Sequence, residues 1–326
     1  MNVLKKQWFL IVLVLAILLG GLFPTQGSQL NPNKITTICL VIMLFFLSGL
    51  SLPTETLRED MKDIRLHGFI QVFIFIVTPI YFFLTAFPFK NVMDGQLIVG
   101  IYALAVLPTT VSTCIVFTQL SGGNTIGAVF NASFSNLAGV FISPLLLTLF
   151  LNTSSHPLPM KELLNIFQGL VLQICVPFGI GQGFHMMLKS WAKKHKKKIG
   201  VMSNIFVLCI IFFSVAKSVE NNSFQKYWKE LLWPFAFLAV SHLILLALSY
   251  YGAKRIGLSR QNIITAIYCA PQKTIAVGIP LLSTYFASQP KLMGIAILPI
   301  LFYHPWQLFI AGIIRNSSFI QSGLKE

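Results

Sequence analysis

Ten apolar stretches, each close to the length that crosses a lipid bilayer, dominate this sequence. A transmembrane helix needs about 20 mostly apolar residues, and repeated runs of this kind leave little room for a soluble fold. The chain is therefore predicted to be an all-α membrane protein with ten transmembrane helices. The predicted spans are Trp8–Phe23, Ile35–Leu52, Gly68–Phe87, Gln96–Leu120, Thr125–Leu151, Leu163–Leu188, Ile199–Val219, Leu231–Ala253, Gln261–Phe286 and Leu292–Ile314.

The composition supports the same conclusion. Of the 326 residues, 55% are hydrophobic and only 10% are charged, whereas about a quarter of the residues in a soluble domain are charged. A net charge of +15 would suggest nucleic-acid binding in a soluble protein, but here the charges occupy short gaps between apolar runs. We interpret them as topology signals and expect no nucleic-acid partner. The five cysteines lie inside apolar runs without a CxxC pair, which favours packed thiols over disulfides or metal ligands.

The first apolar stretch has two interpretations. Lys5 and Lys6 precede it, as basic residues precede the apolar core of a secretory signal peptide. No clear small-x-small cleavage site follows, and we therefore interpret the stretch as the first transmembrane helix.

With ten spans, successive loops lie on opposite sides of the membrane, and the basic residues are distributed unequally between the two sides. Sixteen lie on the side that holds both termini and the predicted Lys189–Lys198 loop, and seven lie on the other side. Because cytoplasmic loops are enriched in Lys and Arg, we predict a multi-pass protein of the plasma membrane, a bacterial inner membrane, with both termini cytoplasmic. The Lys189–Lys198 run could also bind anionic lipid, although topology alone accounts for it.

Ten spans divide into two halves of five. The first half covers residues 1–151, a polar linker covers 152–162, and the second half covers 163–326. An odd number of spans in each half inverts the second half relative to the first. The sequence therefore predicts two inverted five-helix repeats, an arrangement that many secondary transporters share.

The fourth span of each half carries a polar interruption. Span four contains Pro-Thr-Thr-Val-Ser-Thr at 108–113, and span nine contains Cys-Ala-Pro-Gln-Lys-Thr at 269–274. Proline removes a backbone donor, and unwound backbone at membrane depth is tolerated only where it is buried or lines a cavity. Each break alone could be an ordinary proline kink. Together, at the same ordinal position, they predict discontinuous helices that build a transport site.

Five motifs in order along the chain carry a family resemblance. They are Leu-Pro-Thr-Thr-Val-Ser-Thr-Cys at 107–114, Ser-Gly-Gly-Asn at 121–124, Phe-Asn-Ala-Ser-Phe-Ser-Asn at 130–136 with Ser-Pro at 143–144, Gln-Lys-Thr-Ile-Ala-Val-Gly-Ile-Pro at 272–280 and Tyr-His-Pro-Trp-Gln at 303–307. With these motifs the chain resembles the bile acid:sodium symporter family, in its symporter-like branch. The resemblance implies a panel domain of spans 1, 2, 6 and 7 and a core domain of spans 3–5 and 8–10. Spans 4 and 9 would cross at their unwound centres.

The resemblance also implies where a sodium ion would bind in sodium-coupled members. Carried over by position, Ser112, Thr113 and Asn136 are the candidate sodium ligands, with Asn131 earlier in span five and Gln71 as the candidate of span three. The chain departs from the family in span nine, where a glutamate would fall just before Tyr268 and no acid is present. Sodium coupling is therefore left open, and no other cofactor is expected.

Lys273 is the only Lys or Arg near the middle of a predicted span, and all nine acidic residues lie in loops or at span ends. Three interpretations follow. The ammonium could fill the place of sodium by bonding to Asn136, Ser112 or nearby carbonyls, it could anchor an anionic substrate, or it could extend to water.

The predicted substrate- and ion-binding residues come from the two breaks, spans three and five, and one face of span ten. His304 and Gln307 share that face at i, i+3 spacing, whereas His242 and His185 are isolated and are interpreted as packing residues. The full set is Thr109, Thr110, Ser112, Thr113, Asn131, Asn136, Gln272, Lys273, Thr274, Gln71, His304 and Gln307.

The function classes can be ranked from these observations. An intramembrane enzyme would need a nucleophile with its base, a carboxylate pair or a metal cluster, and the predicted spans contain none of these. We predict a secondary transporter that moves a small organic solute by alternating access, and the family resemblance implies an organic anion. A regulatory protein that keeps a transporter fold without transporting, or a channel, are the alternatives.

Overall fold

The computed structural model describes residues 8–51, 63–89, 93–152, 160–220, 232–286, 290–317 and 320. Within these ranges the chain forms helices and connecting turns, with no strand. The main helices are α1 (Trp8–Leu22), α2 (Ile35–Ser51), α3 (Ile64–Val72, Phe73–Val77 and Thr78–Ala86 in succession), α4a (Gly95–Val106), α4b (Ser112–Leu120), α5 (Thr125–Asn152), α6 (Met160–Leu170, Val171–Cys175 and Val176–Met187 in succession), α7 (Lys189–Glu220), α8 (Leu232–Arg255), α9a (Arg260–Cys269), α9b (Ile275–Tyr285) and α10 (Pro290–Ala296 and Leu298–Arg315). Three short helical segments, Pro24–Gln29, Pro32–Lys34 and Phe87–Phe89, lie in the connections.

Seven of the described helices are long and apolar enough to cross a membrane, namely α2, α3, α5, α6, α7, α8 and α10. Shorter apolar helices occupy Ile11–Leu22, Gly95–Val106 and Ile275–Tyr285. The predicted spans four and nine fall short of the full length because each is divided into two helices. The structure is thus an all-helical, multi-pass membrane protein, and the count of ten spans stays a prediction.

The predicted loop at Lys189–Lys198 is wrong. Helix α7 begins at Lys189, and only Leu188, with φ −110° and ψ 26°, interrupts the helical path from α6. Lysine has a high helix propensity and its long side chain reaches water from a helix surface, so a lysine run does not end a helix. Among the other predicted features, Lys5, Lys6 and most of the 152–162 linker lie outside the described residues.

Four helices form one packed group. Helix α2 packs against the Val176–Met187 segment of α6 and against α7, and α1 packs along α7. Glycines allow the closest approach, because Gly49 of α2 faces the backbone of Phe178 and Gly181 of α6 faces the backbone of Phe46, with no room for a Cβ atom at either glycine. Small residues of this kind let transmembrane helices pack by direct backbone contact.

The other helices pack around α4a, α4b, α9a and α9b. The Thr78–Ala86 segment of α3 packs against α4a, α5 contacts α4a, α4b and α9a, and α8 contacts α9a and α10. Outward-facing side chains such as Val240 of α8 and Phe309 of α10 are large, apolar and exposed. These exposed apolar faces fit a lipid environment, and they leave the polar centre of the molecule enclosed between helices.

Candidate functional site

The two helix breaks touch each other at the centre of the molecule. Helix α4a ends at Val106 and α4b begins at Ser112, while α9a ends at Cys269 and α9b begins at Ile275. The backbone N–H of Thr274 donates to the carbonyl oxygen of Pro108 at 3.0 Å. One unwound segment therefore supplies a hydrogen bond that the other has lost.

Every backbone carbonyl from Ala105 to Thr110 accepts a hydrogen bond, although the helical ladder has ended. A helix end leaves up to four carbonyls without helical partners, and an unpaired carbonyl buried in a membrane protein is costly. Apart from Lys273, the donors are the Ser143 hydroxyl to Val106 (2.7 Å), the Thr274 amide to Pro108 (3.0 Å), the Asn136 side-chain amide to Thr109 (2.9 Å) and the Cys114 thiol to Thr110 (2.6 Å). Hydrogen-bond donors from α5 and the second break thus stabilise the unwound backbone of the first break.

The ammonium of Lys273 completes this set. Its Nζ atom donates to the carbonyl oxygens of Leu107 at 2.7 Å, Ala105 at 2.9 Å and Ile74 at 3.2 Å. The side chain is only 1% exposed. Two of the three acceptors lie at the C-terminal end of α4a, where the helix dipole favours a cation. The arrangement excludes the interpretation that Lys273 extends to water.

Ile74 can accept from Lys273 because its own helical partner is missing. The Phe73–Val77 turn of α3 has π-helical bonding, in which the Thr78 N–H donates to Phe73. The next residue, Pro79, has no N–H, so the Ile74 carbonyl has no backbone donor at the corresponding spacing. A proline in α3 thereby prepares one of the three oxygen atoms that bind the ammonium.

Gln307 holds the second break from the side of α10. Its Oε1 accepts from the backbone N–H of Lys273 at 2.8 Å, and its Nε2 donates to the Lys273 carbonyl, also at 2.8 Å. The same Nε2 lies 3.1 Å from Nδ1 of His304. The hydroxyl of Tyr303 donates to the Pro271 carbonyl at 2.9 Å. One face of α10 therefore satisfies the backbone around Lys273.

Hydroxyl and amide groups from both breaks form a second cluster. The Thr110 hydroxyl donates to Oε1 of Gln272 at 2.6 Å, and the Thr113 hydroxyl lies 2.6 Å from the Thr110 hydroxyl and 3.2 Å from the same Oε1. The side chain of Thr274 accepts from the backbone of Ala276 and caps the start of α9b. Thr110, Thr113 and Gln272 thus join the two breaks through side chains as well as backbone.

A cavity of about 430 Å³ lies beside these breaks, and we call it the crossing cavity. One wall consists of the breaks, Asn136 and His304, and the other wall comes from the α1, α2, α6 and α7 group. Its described lining residues carry hydroxyl, amide, imidazole and apolar groups, with no carboxylate. They are Phe9, Phe45, Ser48, Ser51, Thr110, Val111, Ser112, Thr113, Asn136, Val140, Phe178, Asn204, Thr274, Ile275, Ala276, Val277 and His304.

The structure separates the predicted site residues into two places. Gln71 and Asn131 lie apart from the crossing cavity, in a polar contact between α3 and α5, where Nε2 of Gln71 donates to Oδ1 of Asn131 at 3.0 Å. Nδ2 of Asn131 also contacts Nδ1 of His67 at 2.9 Å. Of the partners expected for Lys273, the nearby carbonyls are confirmed, because its three acceptors are all backbone carbonyls. Asn136 is not one of its partners and donates to the carbonyls of Thr109 and Ala132.

Sequence reasoning missed several residues that build the site. Ser143 and Tyr303 satisfy carbonyls of the two breaks, and Asn204 and Ser48 line the crossing cavity from α7 and α2. Their sequence signal is a single polar group inside an apolar run, which costs free energy in lipid unless it faces a partner or a cavity. Ser143 and Tyr303 also fall within motifs that carry the family resemblance.

Comparison with known proteins adds independent support. The sequence profile of the SBF-like CPA transporter family matches residues 7–318. The chain belongs to this family. Similar proteins include the sodium/bile acid cotransporter 7-B of Xenopus laevis, 31% identical over 95% of this chain and 91% of that protein. The sodium/bile acid cotransporter 7 of Rattus norvegicus is 31% identical over 95% and 92%, and that of Danio rerio is 30% identical over 96% and 94%. The resemblance that the sequence motifs indicated is therefore confirmed, and the chain is a transporter-family protein rather than an enzyme.

Proposed function

We propose that this transporter moves a small organic anion by alternating access, and that the crossing cavity binds it. The observation that carries the proposal is the position of the cavity, between the α1, α2, α6 and α7 group and the two helix breaks. These four helices would form the panel domain, and the remaining helices would form the core domain. Movement of one domain against the other would change the cavity directly, as alternating access requires.

The chemistry of the cavity lining favours an anion with an apolar body. The hydroxyl of Ser112 and the imidazole of His304 can donate hydrogen bonds, while Phe45 and Phe178 offer apolar surface. No carboxylate occurs among the described lining residues to repel an anion. The names of the related cotransporters suggest a bile acid or a molecule of similar chemistry, with one acidic group on a rigid apolar skeleton.

Lys273 would serve as a resident cation in place of a coupling sodium ion. A sodium ion needs several oxygen ligands, and carbonyl oxygens of unwound helices commonly supply them in transporters. Here three carbonyl oxygens already bind the Lys273 ammonium. A second cation close by would be repelled in this poorly screened environment. We therefore favour transport that does not depend on sodium.

Sodium coupling is a second candidate, supported by a different observation. Oε1 of Gln71 and Oγ1 of Thr109 are buried oxygen atoms with no hydrogen-bond partner. Buried polar atoms are normally paired, so unpaired oxygens of this kind could accept a cation. Ser112, Thr113 and Asn136 stay candidate ligands under this alternative.

Uptake of radiolabelled taurocholate into proteoliposomes that contain the purified protein tests the proposal. We expect uptake with similar initial rates in sodium and choline buffers, saturation with substrate, and loss of uptake in His304→Ala and Asn136→Ala variants. A rate that rises with an inward sodium gradient would support the second candidate. Absence of uptake and of binding for taurocholate and other organic anions would favour a regulatory protein, and ion currents without saturation would favour a channel.

The proposed topology places ten spans as two inverted repeats, with both termini in the cytoplasm of a bacterial cell. Ser190 and Thr25 are exposed residues on opposite sides under this arrangement. In intact cells, an impermeant thiol reagent should label a Thr25→Cys variant and spare a Ser190→Cys variant until the membrane is opened. The exposed native residue Cys39 is replaced by serine in both variants. Labelling of both positions from outside would contradict the topology.

A further inference from the structure

A second pocket, of about 290 Å³, lies at the opposite end of the helices that line the crossing cavity, and we call it the far pocket. Helices α2, α7 and α9b line both. In α2 the crossing cavity contacts Phe45, Ser48 and Ser51, whereas the far pocket contacts Thr37 near the start of α2 and Lys34 directly before it. The far pocket is therefore bounded by the same three helices, about two turns further along each.

A packed apolar layer separates the two spaces. Along these helices, the residues between the two sets of lining positions include Val41 and Leu44 of α2, Ile210 and Ile211 of α7, and Ile279 of α9b. All five are almost fully buried and belong to one apolar cluster. This buried apolar layer therefore closes the inner end of the far pocket.

Lys34 gives the far pocket its charge. The pocket lining includes two lysines, Lys34 and Lys217, and no carboxylate among its described residues. Lys217 pairs with Glu220 at 2.6 Å, and the Ser28 hydroxyl donates to the same carboxylate oxygen at 2.7 Å. Among the described residues, no hydrogen-bond or ion-pair partner holds the ammonium of Lys34, which is half-buried in the pocket wall. The pocket therefore carries an excess positive charge.

The backbone holds Lys34 in an unusual conformation. Asn33 and Lys34 have φ values of 47° and 63°, in the left-handed region that non-glycine residues seldom adopt. The side chain of Asn31 fixes this turn, because its Oδ1 accepts from the Thr37 amide at 3.1 Å and its Nδ2 donates to the Thr37 hydroxyl at 2.9 Å. Strain of this kind persists only where the surrounding contacts impose it, and it is concentrated at functional sites.

We propose that the far pocket is an anion-recruiting site, in which Lys34 attracts the acidic group of an organic anion on the side of the membrane opposite to the crossing cavity. An unpaired cation in a pocket with low-dielectric walls raises the local concentration of anions. The role in substrate capture or release rests on the proposed transport function. The binding property itself does not, and it can be measured without transport.

The test uses the purified full-length protein in detergent, so that membrane orientation and transport play no part. Ser283 lines the far pocket, and a Ser283→Cys variant places a thiol there. The electrostatic potential at this thiol is measured by comparing its reaction rates with two methanethiosulfonate reagents, one carrying a sulfonate and one a trimethylammonium group. Mass spectrometry of the peptide that contains residue 283 separates this reaction from that of the native cysteines. We expect the sulfonate reagent to be favoured, and Lys34→Asn to lower the ratio of the two rates roughly three- to tenfold.

The matched variants separate charge from structure. Asparagine tolerates the left-handed conformation at position 34, and Lys34→Arg keeps the charge and should keep the rate ratio. Lys161→Gln removes an exposed lysine that does not line the pocket, and should leave the ratio unchanged. If the Lys34→Asn variant fails to elute as a folded protein, Lys34→Gly replaces it, because glycine adopts this φ without strain.

Occupancy by an organic anion is tested with the same reporter. Taurocholate should slow the sulfonate reaction of the thiol introduced by Ser283→Cys, and it should protect this thiol much less when Lys34→Asn is also present. A rate ratio that is the same in Lys34→Asn and Lys161→Gln, equal protection in both variants, or no reaction with either reagent would overturn the proposal. Each of these results can arise whether or not the protein transports taurocholate. The far-pocket proposal and the transport proposal can therefore be contradicted independently.

Discussion

The Nζ atom of Lys273 lies 2.7 Å from the carbonyl oxygen of Leu107, although 166 residues separate them in the chain. This contact joins the unwound part of α9 to the C-terminal end of α4a. Together with the contacts to Ala105 and Ile74, it places a buried cation where three carbonyls from two other helices converge. The stability of the helix breaks and the ion chemistry of the site therefore depend on the same side chain.

Replacement of Lys273 by methionine should destabilise the protein strongly. Methionine fills a similar volume but leaves three buried carbonyls without donors, at about 1–3 kcal/mol for each acceptor. Lys273→Arg should not restore stability, because a planar guanidinium does not fit the space of an ammonium. Lys254→Met, at an exposed position near the end of α8, is the matched control. Thermal unfolding in detergent measures the effect, and a Lys273→Met variant as stable as Lys254→Met would contradict this role.

Replacement of Gln307 should weaken the second break. Its amide both donates to and accepts from the backbone of Lys273, and leucine can do neither. We expect Gln307→Leu to lower the free energy of unfolding by about 2–4 kcal/mol, because two buried backbone groups lose their partners. Gln307→Glu keeps the acceptor but loses the donor, and should also be destabilised. Gln119→Leu, at an exposed position of α4b, should change little. Equal melting temperatures for the two leucine variants would argue against the contact.

Cysteines that replace Thr110 and Gln272 should be joined by a short bifunctional thiol reagent. Oγ1 of Thr110 and Oε1 of Gln272 are 2.6 Å apart in the folded chain, and the glutamine side chain spans the remaining gap between the two backbones, which the reagent replaces. Reaction with a short bis-methanethiosulfonate, followed by peptide mass spectrometry, measures the yield. A double variant with cysteines at Thr110 and Gln119 is the control, because Gln119 is exposed near the other end of α4b. Failure of the first pair to crosslink would mean that the breaks do not meet.

Acidification should weaken the contact between the α1–α2 connection and the end of α7. The hydrogen bonds from Lys217 and Ser28 hold the pKa of Glu220 below its ordinary value of 4.5. A carboxyl group with a lowered pKa stabilises the folded state above its ordinary pKa, and the stabilisation is lost as the pH falls through the folded-state value. The melting-temperature difference between the parent and Ser28→Ala should thus be present at neutral pH and shrink below about pH 4.5. A difference that is constant with pH would contradict the assignment.

Local sequence was sufficient to predict the class of fold and the positions of the two helix breaks. A long apolar run can cross lipid as a helix, because a helix pairs the backbone N–H and C=O groups of the run with one another. Pro108 and Pro271 lack the N–H that would continue a helix, and the structure has non-helical backbone at 107–111 and around Pro271. The lysine run from Lys189 to Lys198 was wrongly predicted to be a loop, since hydropathy marks where a chain leaves the bilayer but not where its helix begins. Membership of the transporter family also followed from short motifs, because those motifs are contiguous in the chain.

The partners of the site residues were decided by the tertiary structure alone. The sequence identified Lys273 as an unusual charge, but the Ile74 carbonyl became its acceptor through a proline in α3 and a π-helical turn that no local pattern near Lys273 reveals. Gln71 and Asn131 looked like members of the same site and lie instead in a separate contact between α3 and α5. A side chain's residue type is local information. The oxygen atoms within hydrogen-bonding distance of it come from whichever helices pack there, and packing is a property of the whole chain.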